Sequence, residues 1–311
     1  MSNIDQIVKE YLFKKSDKVT EFYEDKYVLN GEDGIKNTLQ KAFGVKIDNN
    51  HFDKVVNNKG KEIEKINKSY SSSLQSLLVF DAVNKNNTIR IGEDTFNEVL
   101  FELENPVIED NHPSSVDVVL FNQEKKTIAF IESKLKEILE GGKRGSCVIP
   151  EAYFTSDHGY KYLGLTEDDY KAIGIKREIK DKEGKCKIAP LNEGKYVYSG
   201  GIKQILSHLI GIERFKNEKE SKIIVDNELS NAFEKIVYIE LYNAFPEIGD
   251  KVIDAKISDF KTHCNEVKKV VDKKGIVNEF KIMTYQDLYQ NHIQYKLNKE
   301  IENFYHLGNK E

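Results

Sequence analysis

The chain has 311 residues, of which 39% are hydrophobic and 32% are charged, and its formal net charge is −5. This balance is typical of a folded protein with a heavily charged surface and excludes an intrinsically disordered chain. The negative net charge excludes a polycation that binds nucleic acid through bulk charge, so contact with a phosphate backbone would need a local basic surface.

Targeting and redox features predict a cytoplasmic protein. No stretch reaches the roughly 18 consecutive apolar residues of a membrane span, and charges occur too early among the first 15 residues for a secretory signal. The three cysteines, Cys147, Cys186 and Cys264, are far apart and form no CxxC pair. They indicate reduced thiols, not a disulfide framework or a zinc site.

Residues 1–68 are predicted to form a helical extension. Apolar residues at mostly helical spacing from Ile4 to Tyr23 predict one amphipathic helix, and a second helix is predicted from Ile35 to Ala42. The polar, lysine-rich stretch from His51 to Lys68 predicts a linker or a solvated helix end.

Residues 69–245 are predicted to form the main core. Ser72 and Gln75 have the spacing of a capping box that opens a helix. Three strands are predicted next, at Phe96–Glu104, Val116–Phe121 and Thr127–Ile131. The second of these has almost no polar side, which favours a strand inside a sheet that is covered on both faces by helices.

The rest of the chain is predicted to alternate irregular and helical segments. A helix at Lys134–Leu139 precedes an irregular insertion, residues 141–198, which has its own helix near Glu167–Ala172. A strong helix, Gly200–Phe215, and a strand, Ile236–Leu241, follow, and then a C-terminal helical region, residues 246–311, with a short strand near Phe280–Met283. The order predicts an α/β fold with a mixed sheet flanked by helices.

Two acids are predicted to meet on the central hairpin. If Asn122 pairs with Thr127 around a four-residue turn, the antiparallel register places Asp117 opposite Glu132. Like charges in that position repel, and a hard divalent cation such as Mg²⁺ would remove the penalty. Both acids adjoin apolar runs, where burial without a partner is costly, which favours a metal site over a hairpin with surface charges.

Lys134 lies two residues after Glu132 and therefore projects to the same side of the strand. An ammonium beside the metal ligands could orient an attacking water and neutralise charge that builds up on a phosphate. Taken alone, a carboxylate followed two residues later by lysine is a common chance pattern, so the assignment depends on Asp117 as well.

The chain resembles the PD-(D/E)xK nuclease superfamily, and within it restriction-endonuclease-like bacterial proteins. The resemblance covers Ser72 to Leu241 and the order helix, three strands, helix, strand. Its motifs are the Ser72-Ser73 helix start, Phe101 to Pro106, Pro113-x-x-x-Asp117, Ile131-Glu132-Ser133-Lys134 and Gln204-x-x-x-His208. Pro113 is separated from Asp117, whereas the first motif of the family joins them.

The resemblance implies a restriction-endonuclease-like core that cleaves nucleic acid with Mg²⁺, for which Mn²⁺ would substitute. Asp117 and Glu132 would bind the metal, the carbonyl of Ser133 would be a further ligand, and Lys134 would be the catalytic lysine. Glu102 is the preferred additional acidic ligand, although Glu102 and Glu104 equally fit solvated strand charges.

Gln204 and His208 are four residues apart and share one face of a predicted helix. The resemblance implies that they border the metal site, while a polar pair at the edge of the core is an equal alternative. Lys143 and Arg144, between glycines, are the candidate substrate-binding residues; the run Lys268-Lys269 with Lys273-Lys274 favours a solvated face instead.

The predicted reaction is hydrolysis of DNA, and two-strand cleavage would favour a homodimer. Two alternatives stay open. One is a catalytically inactive nuclease fold that serves as a nucleic-acid-binding or structural protein. The other is a nuclease that acts on RNA or on repair intermediates.

Overall fold

The computed structural model describes residues 3–23, 31–57, 66, 71–106, 113–140, 147–149, 159–173, 186–188, 199–217 and 233–308. Its helices are α1 Asn3–Phe13, α2 Asp17–Tyr23, α3 Gly31–Phe43, α4 Asn49–Val56, α5 Ser72–Phe80, α6 Glu137–Glu140, α7 Glu167–Ala172, α8 Ser199–Asn217, α9 Lys251–Lys274, α10 Tyr285–Asp287 and α11 Lys299–Phe304. Its strands are β1 Ile89–Ile91, β2 Asp94–Phe96, β3 Glu98–Pro106, β4 Pro113–Asn122, β5 Thr127–Lys134, β6 Cys147–Ile149, β7 Cys186–Ile188, β8 Lys235–Tyr242 and β9 Glu279–Thr284.

A five-stranded mixed sheet, in the order β3-β4-β5-β8-β9, lies at the centre of the fold. Its first three strands form an antiparallel meander, whereas β8 pairs parallel to β5 and β9 pairs parallel to β8. The β4–β5 ladder begins with Asn122 opposite Thr127, which confirms the pairing expected from the sequence. The α/β class and the mixed sheet flanked by helices are also confirmed.

Helices cover both faces of this sheet next to β5. On one face the hydroxyl of Ser133 donates to the carbonyl of Ser72, at the start of α5. On the other face Glu132 contacts Gln204 and His208 of α8. Because neighbouring residues of a strand point to opposite faces, α5 and α8 lie on opposite sides. Every residue of β5 is buried, as expected for a strand enclosed in this way.

Several local predictions were wrong at their boundaries. The N-terminal helix is two helices, because Ser16 accepts from the amide of Val19 and starts α2. The predicted linker after His51 begins inside α4, where Asp48 caps the helix and Phe52, Val55 and Val56 are buried. Residues 58–65, 67 and 68 of that linker lie outside the described residues.

The start of α5 also differs from the prediction. Ser71, not Ser72, is its N-cap and accepts from the amide of Leu74. Gln75 does not close a capping box, and its side chain is fully buried. At the other end of the core, β5 extends to Lys134, so that the helix predicted from Lys134 is reduced to α6.

The C-terminal region contributes a strand to the main sheet. Within that region, β9 contains the strand predicted at Phe280–Met283 and pairs with β8 along its whole length. Buried apolar residues from Val8 to Leu307 belong to one hydrophobic cluster. Both ends of the chain therefore share the core that supports the sheet.

Candidate functional site

Four of the predicted catalytic residues meet at the end of β5. Glu132 and Lys134 come from β5, and Gln204 and His208 come from the facing helix α8. The ammonium of Lys134 donates to Oε1 of Glu132. Nε2 of Gln204 donates to the same oxygen at 2.5 Å, and Nε2 of His208 lies 2.8 Å from Oε2. The two halves of this cluster are about 70 residues apart in sequence, so the fold, not chain proximity, brings them together.

Gln204 contacts both charged members of the pair. Its Oε1 accepts from the ammonium of Lys134 at 2.8 Å while its Nε2 donates to Glu132. The amide therefore fixes the acid and the amine relative to each other. Spacing explains the arrangement on each side: residues two apart on a strand share a face, and residues four apart on a helix lie one turn apart.

The cluster is almost completely withdrawn from solvent. Glu132 is 2% exposed, Lys134 is 4% exposed and His208 is 0% exposed. Burial by itself raises the pKa of Glu132. Lys134 and then His208 lower this pKa by more than burial raises it, and the net result is a pKa of about 2. A buried ion pair of this kind costs desolvation energy and adds little to stability, so its presence favours a functional role.

Asp117 lies one step beyond the last pair of the β4–β5 ladder, Val118 opposite Ile131. Its Oδ2 accepts from the backbone amide of Ser133 at 2.7 Å. Burial raises the pKa of Asp117 well above its usual range, and the charges of Glu132 and Glu102 raise it further. The ladder therefore stops one step before the predicted Asp117–Glu132 pair, but the two acids are close enough for the charge of Glu132 to act on Asp117.

Glu102 lies on β3 between two residues that pair with β4, Phe101 opposite Val118 and Leu103 opposite Val116. Its register position therefore faces Asp117, but its backbone has a φ of 52° and interrupts the ladder. The hydroxyl of Ser115 donates to Oε2 of Glu102 at 2.9 Å. A non-glycine residue in the left-handed region is strained, and such strain is concentrated at functional sites.

Glu240 is a site residue that the sequence reasoning missed. It pairs in register with Glu132 across β5 and β8 and is fully buried. Oε1 accepts from the hydroxyl of Tyr238 at 2.6 Å, and Oε2 has no hydrogen-bond partner among the described residues. An acid inside the apolar run Ile236–Leu241 was the available signal, because the same feature identified Asp117.

These acids form a row across four strands. In register order they are Glu102 on β3, Asp117 on β4, Glu132 on β5 and Glu240 on β8. Burial raises the pKa of Glu240 to about 8, Lys134 opposes that shift, and the charge of Glu132 adds to it. Glu132 contacts Lys134 and His208 directly, which explains why its pKa is lowered while those of Asp117 and Glu240 are raised.

Ser133 has its side chain on the opposite face of the sheet. Its hydroxyl lies 2.7 Å from the hydroxyl of Tyr285, which in turn lies 3.0 Å from the hydroxyl of Ser76. The predicted metal ligand is the backbone carbonyl, so these side-chain contacts do not compete with it. They fix the end of β5 against α5.

Within the described parts of the chain, no group of three or more His, Cys, Asp and Glu side chains is arranged to hold a metal ion. The reason is local, since both oxygens of Glu132 face donors on Lys134, Gln204 and His208. The two candidate substrate-binding residues, Lys143 and Arg144, lie outside the described residues. In the C-terminal basic run, Lys274 and Lys273 contact Asp169 at 2.8 and 3.5 Å.

None of the helices in the described ranges is long and apolar enough to cross a membrane. Comparisons of the chain with protein-family models, with curated proteins and with solved structures found no match. The interpretation of the site therefore depends on the motifs of the chain and on the geometry given above.

Proposed function

We propose that the protein is a metal-dependent nuclease that hydrolyses DNA phosphodiester bonds. The observation that carries the proposal is the buried cluster at the end of β5, in which Glu132 and Lys134 contact Gln204 and His208 while Asp117 lies at the next register position. The hairpin pattern predicts a site at Asp117, Glu132 and Lys134, and the resemblance implies Gln204 and His208 at its border. The convergence of these five residues supports a shared chemical role more strongly than any short motif does.

The arrangement of elements supports a restriction-endonuclease-like core of the PD-(D/E)xK type. The order α5, β3, β4, β5, α8 and β8 is the helix, three strands, helix and strand that the resemblance implies. In that core the two acids and the lysine are expected at the ends of the central hairpin, and here β4 and β5 carry them.

The donor chemistry, carboxylate and carbonyl oxygens, suits a hard divalent cation, and Glu132 would have to exchange a contact with Gln204 or His208 for the ion. Asp117 and Glu132 would hold Mg²⁺ or Mn²⁺, with the carbonyl of Ser133 and the carboxylate of Glu102 as further oxygen ligands. Burial and the charges of Glu132 and Glu102 raise the pKa of Asp117, because they disfavour its ionised form. A cation bound there would relieve this repulsion. When bound, the ion would polarise the phosphate and make water more acidic.

The other residues of the cluster supply position and charge. The ammonium of Lys134 is held between Glu132 and Gln204, where it can orient water and stabilise negative charge on a phosphate. His208 holds the far oxygen of Glu132. We propose Lys143 and Arg144 as contacts to the DNA backbone, and a homodimer as the form that cuts both strands.

The direct test is plasmid cleavage with Mg²⁺ or Mn²⁺ by the wild type and by Asp117→Asn, Glu132→Gln and Lys134→Met. Each substitution should lower the cleavage rate by about 100-fold or more, because it removes a group that acts on the reacting phosphate. Matched controls are Glu124→Gln and Lys125→Met, which change the same residue types in the exposed turn of the same hairpin. Equal losses in the controls would contradict the assignment.

Two further measurements separate the alternatives. Calorimetry should show binding of Mn²⁺ that is lost in Asp117→Asn. Metal binding without cleavage of duplex DNA, single-stranded DNA, RNA or branched DNA would favour an inactive nuclease fold. Cleavage confined to RNA or to branched DNA would favour the RNA or repair alternative.

A further inference from the structure

A chain of three side chains connects the start of β4 to the metal-binding acid. Oγ of Ser114 lies 2.8 Å from Nδ1 of His208, and Nε2 of His208 lies 2.8 Å from Oε2 of Glu132. Ser114 is half-buried, whereas the other two side chains are buried. None of the sequence motifs assigns a role to Ser114.

In a neutral ring, the two contacts favour hydrogen on Nε2 of His208. An ionised carboxylate only accepts hydrogen bonds, so Nε2 must carry the hydrogen that faces Glu132. In the neutral ring Nδ1 is then an acceptor, and the Ser114 hydroxyl is the donor that faces it. The reverse tautomer would place two acceptors 2.8 Å apart in a buried site, which is strongly unfavourable.

We propose that Ser114 is a positioning residue: its hydroxyl holds the His208 ring in the orientation that presents Nε2 to Glu132 and thereby fixes the orientation of the Glu132 carboxylate. The inference deepens the proposed nuclease function and rests on it for its catalytic consequence. Glu132 has contacts on both oxygens, and His208 supplies the one on Oε2. If that contact is lost, the carboxylate can rotate and carry the ammonium of Lys134 out of position.

The neighbouring serines have different partners, which makes Ser114 specific. Ser115 donates to Glu102. Ser207, directly before His208 on α8, donates to the carbonyl of Lys203 at 2.7 Å. Ser207→Ala therefore makes the same chemical change as Ser114→Ala beside the same histidine, without removing a contact to the ring.

The primary experiment is ¹H–¹⁵N NMR of the histidine rings at pH 8, with the His208 signals assigned by their absence in His208→Gln. In the wild type, in Ser114→Thr and in Ser207→Ala, the ring proton should be on Nε2. In Ser114→Ala the Nδ1 signal should shift, because this acceptor loses its hydrogen-bond donor while Glu132 still favours hydrogen on Nε2. A wild-type proton on Nδ1, or unchanged signals in Ser114→Ala, would overturn the proposal.

The second experiment measures DNA cleavage by the same variants after circular dichroism has shown that each is folded. Removing a group that orients a metal ligand typically costs 10- to 100-fold. Ser114→Ala should therefore lower kcat by about 10- to 100-fold with little change in KM, while Ser114→Thr recovers activity and Ser207→Ala retains it. An active Ser114→Ala enzyme would overturn the catalytic consequence. Because the NMR readout needs no turnover, a wild type that cleaves nothing would contradict the nuclease proposal and leave the Ser114 test standing.

Discussion

Several polar side chains around Glu132 are buried together in one part of the protein. Glu132, His208 and Glu240 are buried within one network. Among the described residues Oε2 of Glu240 has no hydrogen-bond partner, and Oε2 of Glu132 and Nε2 of His208 lie 2.8 Å apart outside hydrogen-bond geometry. Evolution normally removes such groups unless they have a use, because an unsatisfied buried polar atom costs about 1–3 kcal/mol. Such burial lowers stability, and this favours a functional role for the cluster.

Glu240 should make the protein less stable as the pH rises. Its folded pKa of about 8 is far above its ordinary value near 4.5, so the folded state keeps a proton that the unfolded state releases between these values. The contribution of Glu240 to the unfolding free energy is therefore complete below the lower pKa. It falls by up to about 1.4 kcal/mol per pH unit as the pH rises from the lower pKa to the higher one. The side chain of Glu240→Gln cannot ionise. The unfolding free energy of this variant, relative to that of the wild type, should therefore be higher at pH 8 than at pH 5.

Urea unfolding at pH 5, 6.5 and 8 checks this. The difference in unfolding free energy between Glu240→Gln and the wild type should grow with pH. Glu124→Gln, in an exposed turn, should show no such trend. Parallel pH profiles for Glu240→Gln and the wild type would show that the carboxyl of Glu240 is already ionised in the folded protein.

Gln75 offers a second test of polar burial, away from the ionised cluster. Its side chain is fully buried in α5, and neither of its amide atoms has a hydrogen-bond partner within the described ranges. Gln75→Met keeps the size of the side chain and removes the polar atoms, so it should raise the unfolding free energy by about 1 kcal/mol. Chemical denaturation measures this, and a loss of stability would mean that the amide has a partner in solution.

At the scale of elements, the strand that carries Glu102 is the one that departs most from regular geometry. The residue has a φ of 52° inside β3, where regular strands have negative φ. Gly tolerates this region while Ala does not, although in a regular strand Gly is less stable than Ala by about 0.5–1 kcal/mol. At position 102, Gly should therefore be at least as stable as Ala, which is the reverse of the order in a regular strand.

We expect Glu102→Gly to be at least as stable as Glu102→Ala in thermal and urea unfolding. Glu104, two residues further along β3, is the matched control, since it pairs with Ser115 in the regular ladder. Glu104→Gly should be less stable than Glu104→Ala. The same order at both positions would argue that the backbone of Glu102 relaxes in solution.

The elements that could be predicted from sequence were those with a continuous apolar signal. Val116–Phe121 identified β4, and the apolar face of Gly200–Phe215 identified α8. The helix α4 was missed because three apolar residues among charges fall below any periodic signal in a segment of 8 residues. The hairpin of β1 and β2 was missed because each strand has only 3 residues.

The site also has parts that the sequence predicts and parts that it does not. Register arithmetic over a four-residue turn is local, so the ladder from Asn122 opposite Thr127 to Val118 opposite Ile131 could be predicted, which ends one step before Asp117 and Glu132. Glu240 could not be placed, because its pairing with Glu132 depends on a parallel strand more than 100 residues later in the chain. The role of Ser114 depends on the position of a ring from another helix, which no sequence pattern contains.

At the scale of the whole molecule, the two ends of the chain are packed against each other. The rings of Tyr11 and His306 stack with centroids 4.0 Å apart, and Nε2 of His306 lies 2.8 Å from the carbonyl of Tyr11. The hydroxyl of Tyr11 donates to the carbonyl of Pro246 at 2.8 Å. The N-terminal helices are therefore part of the same core as the C-terminal segment.

Substitution of Tyr11 should lower the stability of the whole protein in graded steps. Tyr11→Phe removes one hydrogen bond and should cost about 1 kcal/mol, while Tyr11→Ala also leaves a cavity and should cost about 3 kcal/mol or more. Both variants should unfold in one transition that is the same by circular dichroism and by tyrosine fluorescence. A separate early transition in Tyr11→Ala would mean that the ends of the chain unfold independently of the sheet.

The long connection between β5 and α8 has a consequence for how such a chain can vary. Lys134 and Gln204 form a hydrogen bond, so the two ends of the segment between them lie close together. The entropic cost of closing a flexible loop grows by only about 0.6 kcal/mol for each doubling of its length. Residues could be gained or lost before or after the part of this connection that packs into the core, which includes Leu163, Tyr170 and Ile173, while the acid, the amine and the helix stay together.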